Sequence, residues 1–147
     1  MGTIESFFMS LNEWSGLIAC AGILVSLVLY WLDRAASIKN EMNEEIDKIY
    51  DFYYRNLTKT DKKDLYHERV QYMSMLNRLA RQANSSRYRM KIVNEQAGKF
   101  LLRLDEDFIH SIILQRRRQF KRESYYVQLE KMIETLRTEN GKNMGKS

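Results

Sequence analysis

A run of 19 residues without a charged side chain, Trp14 to Leu32, constrains this chain more than any other feature of its sequence. At 1.5 Å per helical residue it reaches about 28 Å, close to the roughly 30 Å thickness of a bilayer's hydrocarbon core. It predicts one transmembrane helix. Trp14 at one end and Tyr30 and Trp31 at the other place amphipathic rings where headgroups meet acyl chains, and Glu13 and Asp33-Arg34 mark the two edges. Cys20, the only cysteine, lies inside the run, so no intrachain disulfide can form. The run continues twelve residues past Cys20 and no basic residue precedes it, which argues against a cleaved signal peptide.

Charge sets the expected orientation. Residues 1–13 hold Glu5 and Glu13 and no Lys or Arg, and all 24 basic residues follow the span. The positive-inside rule then predicts residues 1–13 as a short extracytoplasmic segment, 14–32 as the span of an inner, cell-membrane protein, and everything after it as cytoplasmic. Within the span, Ser15, Ala19, Gly22 and Ser26 are spaced i, i+4, i+7, i+11 and share one helical face. Small residues let two helix backbones approach closely in lipid, so a homo-oligomer is expected.

The remainder reads as all-α. There is no proline, and six glycines in 147 residues give little turn punctuation for a sheet. Residues 33–57 carry an apolar stripe at Ile38, Met42, Ile46, Ile49, Tyr53 and Leu57, predicting a helical stalk, and residues 58–147 follow as a small basic domain. In it, capping side chains at Thr58–Asp61 open a helix to about Gln82, and Asn84-Ser85-Ser86 breaks it. Arg87 to Val93 alternates basic with apolar, a strand-like period with no second strand to pair, so helix or extended connector is expected. A third helix is expected after Gly98, through Leu101 to Ile113. A fourth runs from Tyr125 past Leu136, closed by Asn140-Gly141.

The excess positive charge is local. Residues 33–77 have net charge −1, residues 78–122 have twelve basic and four acidic side chains for a net of +8, and residues 123–147 are neutral. Such density repels itself unless an anion neutralises it, and the forked donors of arginine match phosphate oxygens. The candidate ligand-binding residues are therefore Arg87, Arg89, Lys91, Arg116, Arg117, Arg118, Lys121 and Arg122. Tyr88, Phe120, Tyr125 and Tyr126 lie among them and could stack on nucleobases. The partner class is a nucleotide or other polyphosphate, or the headgroups of the adjacent leaflet. Catalytic chemistry has little to work with. His67 and His110 have no metal-ligand spacing, consecutive Asp105-Glu106-Asp107 fan apart on a helix, and no Gly-rich phosphate loop or nucleophile elbow occurs. No metal, no cofactor and no enzymatic activity are expected.

A lone N-terminal span with the small face Ser15, Ala19, Gly22, Ser26, joined to a basic helical domain, resembles in architecture the small membrane-bound CRISPR-associated effectors that respond to cyclic oligoadenylate. The resemblance implies a domain that oligomerises, binds the messenger and perturbs the membrane in antiviral defence. It assigns no site residue. The competing expectation is a membrane-tethered structural or adaptor protein that docks a protein partner or anionic lipid.

Overall fold

The computed structural model describes residues 2–58 and 65–144, and among them there are five α-helices, two π-helical turns and no strand. The chain divides into two compact units, Met1–Ile38 and Lys39–Ser147. The expected all-α class is observed.

The first unit is the leading part of one long helix, α1 (Gly2–Phe52). Its large apolar side chains from Ile4 to Leu32 are all at least 47% exposed. It is long and apolar enough to cross a membrane. Residues 2–13 are helical too, and Ile4, Phe7, Phe8 and Leu11 recur at i, i+3, i+4, i+7 on one face.

The second unit begins with the rest of α1, where Met42, Ile46 and Ile49 are at most 2% exposed. Part of the expected stalk is thus a core element of the bundle. A π-helical turn, Tyr53–Leu57, follows, and Thr58 Oγ1 donates to the Tyr54 carbonyl at 2.6 Å. The rest of the expected cap, residues 59–61, lies outside the described residues. Helix α2 (Tyr66–Asn84) buries Tyr72, Met73, Leu76, Leu79, Ala80 and Ala83. It ends at the expected Asn-Ser-Ser break: Ser85 Oγ donates to the Gln82 carbonyl, and Ser86 Oγ accepts the Arg89 amide at 3.2 Å as the N-cap of α3 (Arg87–Leu104).

Residues 87–93 are helical, because Ile92 and Val93 are buried side by side in the core, which a helix permits and an alternating strand does not. The expected start after Gly98 is corrected for the same reason. Gly98 is buried inside α3, where the side chains of Asn94 and Asn140 fill the space beside it, so it marks a close helix approach. A π-helical turn, Asp105–Ile109, leads into α4 (His110–Phe120). The extra residue of a π turn rotates the following helix, which keeps Leu101, Leu104, Phe108, Ile109, Ile112 and Ile113 all in the core. Helix α5 (Val127–Met144) runs through Asn140-Gly141, correcting the expected stop. Asn140 Nδ2 donates to Asn94 Oδ1 at 3.3 Å and to the Leu136 carbonyl at 2.9 Å, so Asn140 ties α5 to α3.

Candidate anion-binding surfaces

The eight cations singled out in the sequence separate into structural and free groups. Arg117 is structural: its Nε donates to the Tyr125 carbonyl at 3.1 Å, and its Nη1 meets Glu130 Oε2 at 3.0 Å. It fastens the connection between α4 and α5. Arg89 is 20% exposed, with Nη1 3.8 Å from Met42 Sδ and 3.9 Å from Glu41. Arg116 is half-buried, its guanidinium 4.7 Å from the Phe120 ring and 5.9 Å from the Tyr125 ring. Burial depresses its pKa, but the electrostatic influence of the Tyr66 and Tyr126 phenol groups outweighs that and raises it, so Arg116 stays a cation.

Arg118, Lys121 and Arg122 are exposed at the C-terminal end of α4. Cations there complement the partial negative charge of the helix end. Lys121 is the left-handed cap, φ 51°, and Arg122 sits 5.9 Å from the Tyr125 ring. The aromatic interleaving read from the sequence exists here as Phe120, Tyr125 and Tyr126, with the first two at 5.7 Å edge to face. Tyr88 is exposed on α3.

Arg87 and Lys91 line a groove of about 740 Å³ between α3 and α5, with Asn94, Glu95, Glu139 and Lys142. Two of its cations are already countered: Lys91 lies 3.9 Å from Glu95 and Lys142 3.6 Å from Glu139. A second groove, about 680 Å³ and mostly apolar, is lined by Tyr66, Leu114, Gln115, Arg118 and Gln119. A third, about 710 Å³, lies where α2 ends and α5 begins. Asn77, Arg81, Asn84, Ser85, Ser124, Tyr126, Gln128 and Lys131 line it, and none of these is acidic.

Arg81 and Lys131 were not among the sequence candidates. Arg81 is one of twelve cations in its segment, and Lys131 belongs to the neutral stretch that follows. Only the packing of α2 on α5 brings them to one groove, so no local pattern could join them.

Among the described residues no three His, Cys, Asp or Glu side chains gather as a metal site. Asp105, a buried carboxylate in the second π-helical turn, is held by Arg137 at 2.7 Å. Comparison with protein-family models, curated proteins and solved structures gives no match. The functional reading therefore rests on the geometry and charge of this chain.

Proposed function

We propose that this chain is a single-pass protein of the cell membrane, with its N-terminus outside and its helical domain in the cytoplasm. In this reading the domain forms a homo-oligomer and binds a phosphate-rich ligand without catalysing a reaction. The ligand suggested by the architecture is a cyclic oligonucleotide messenger such as a cyclic oligoadenylate, and membrane perturbation in antiviral defence is the output. The observation that carries the reading is the net +8 of residues 78–122, together with Arg118, Lys121 and Arg122 exposed beside Phe120 and Tyr125. Free arginine and lysine attract phosphate, and aromatic faces attract bases. Every basic residue follows the apolar run, which supports the orientation.

The test titrates the full chain in detergent micelles with a cyclic oligoadenylate, a linear oligoadenylate of equal length and anionic vesicles, at two salt concentrations. Oligonucleotide binding that weakens as salt rises is expected, because each neutralised phosphate releases counterions. Binding to vesicles alone would overturn the ligand reading.

One observation favours a second reading, a membrane-tethered adaptor. The apolar groove beside Tyr66 leaves Leu114 42% exposed on α4, a surface that suits an apolar side chain of a protein partner.

A further inference from the structure

We propose that the groove between the end of α2 and the start of α5 binds a small phosphate ester of the nucleotide class, with phosphate on Arg81 and Lys131 and the ring system on Tyr126. The inference rests on the phosphate-ligand reading above and gives that ligand a site that the sequence candidates do not include.

Electrostatics separates this groove from the other two. In the groove of Arg87 and Lys91, an entering phosphate meets Glu95 and Glu139, which already neutralise two of the three cations. The groove of Leu114 offers one cation on an apolar wall. The third groove offers two cations and no carboxylate, and neither Arg81 nor Lys131 has an ion-pair partner among the described residues. Two uncountered cations in one concavity repel each other until an anion arrives, and an arginine fork beside an ammonium suits phosphate oxygens.

The remaining lining suits the body of a nucleotide. Asn77 Oδ1 accepts the Leu129 amide, and Gln128 Oε1 accepts from Asn84 Nδ2 at 2.9 Å. Those bonds fix the carboxamides and leave the amide nitrogens of Asn77 and Gln128 as donors. Ser124 adds a hydroxyl. A volume of about 710 Å³ falls within the usual range of small-molecule sites, about 300–1,000 Å³.

Tyr126 is the most unusual residue here. Its φ of 61° is left-handed, a conformation that a bulky side chain occupies only when its surroundings impose it. Its carbonyl accepts the Glu130 amide at 2.9 Å, and its ring centroid lies 6.0 Å from that of Tyr125. The left-handed backbone and the neighbouring Tyr125 ring set the position of a ring that lines the groove and can stack on a base.

Titration calorimetry of the full chain in detergent, with adenosine monophosphate, adenosine and inorganic phosphate as probes, tests this. Adenosine monophosphate should bind, with adenosine weaker by about tenfold or more. Arg81→Ala and Lys131→Ala should each weaken the nucleotide by about tenfold or more, whereas Lys48→Ala, an exposed position on α1 outside the groove, should not. Tyr126→Gly tolerates the left-handed backbone and removes the ring, so it should weaken the nucleotide and spare inorganic phosphate. Unchanged affinity in the Arg81→Ala and Lys131→Ala variants would overturn the site. Competition by phosphatidylglycerol vesicles as effective as that by nucleotide would overturn the ligand class. Binding of an oligoadenylate without any binding of adenosine monophosphate would sink this inference and leave the broader proposal standing, and binding of neither would sink both.

Discussion

At the scale of single residues, two side chains illustrate opposite uses of polarity. Tyr72 is fully buried, stacked 5.6 Å from Phe52 and close to Tyr53 and Phe108, yet its hydroxyl has no hydrogen-bond partner among the described residues. Burying an unpaired hydroxyl costs about 1–3 kcal/mol, so Tyr72→Phe should raise stability by about 1 kcal/mol or more, read as a higher melting temperature by circular dichroism. The same burial, reinforced by Tyr53, Tyr50 and Tyr54, raises the Tyr72 phenol far above its ordinary value. The folded state therefore keeps a proton that the unfolded state gives up above about pH 10. Stability should be flat in this respect below pH 10 and fall by about 1.4 kcal/mol per pH unit above it, and Tyr72→Phe should remove most of that slope. Tyr50, raised by burial and by Tyr54, adds a smaller drop of the same sign. An alkaline melt identical in the two proteins would refute the assignment. Arg117 is the contrasting case, a cation used for structure. Arg117→Ala should lower stability by about 1–2 kcal/mol through loss of the Tyr125 carbonyl and Glu130, whereas Arg118→Ala should change it by less than about 0.5 kcal/mol. Equal melting temperatures for the two variants would mean that Arg117 is as dispensable as its neighbour.

At the scale of elements, the helices were legible where apolar spacing is regular and were misread where a single residue type usually signals a break. The stripes of α2 and of the Leu101–Ile113 stretch are visible in the sequence because each buries one face. Gly98 and Asn140 read as punctuation because glycine and asparagine favour helix ends, but here they face each other across α3 and α5, 42 residues apart in sequence. No window along one helix contains that relation. The π turn at Asp105–Ile109 was equally hidden, since its justification is the joint burial of residues on both sides of it. The candidate site was legible as a quantity of charge but not as an address. Composition located the +8, whereas the assignment of Arg117 to Glu130 and the pairing of Arg81 with Lys131 depend on how α5 packs. A mutational cycle tests the Gly98 contact. A methyl group at Gly98 would lie 2.5 Å from Asn94 Oδ1, which is itself tied to Asn140. Gly98→Ala should therefore forfeit in the native chain the roughly 1 kcal/mol that alanine gains over glycine in a helix, and recover most of it in an Asn94→Ala background. Additive effects of the two substitutions would show that the contact does not constrain position 98.

At the scale of the whole molecule, the two compact units differ in what they ask of their surroundings. Among the described residues, every buried apolar side chain, from Met42 to Leu136, belongs to the unit Lys39–Ser147. In the preceding unit none of the described residues is buried in this way, and its large apolar side chains from Ile4 to Leu32 remain about half to two-thirds exposed. Side chains such as Phe7, Leu17, Ile18, Leu24 and Trp31 in water would each forfeit about 1.5–3 kcal/mol relative to burial, so a monomer of the full chain is not expected to persist in buffer. In the proposed membrane reading, lipid or detergent would supply the missing burial. Residues 39–147 expressed alone should consequently be soluble, strongly helical by circular dichroism and cooperative in thermal unfolding, because their core is complete within those residues. The full chain should sediment with membranes, resist extraction by carbonate, and enter solution only with detergent. Replacing Ile18, Leu24 and Val28 with Lys should release it from the membrane fraction, since each charge at the centre of a span costs roughly 2.5–3.5 kcal/mol on insertion scales. Two results would count against this division. Aggregation of residues 39–147 would mean that the second unit needs the first to fold, and a full chain that stays in the supernatant without detergent would mean that the apolar face of α1 is covered by protein instead of lipid.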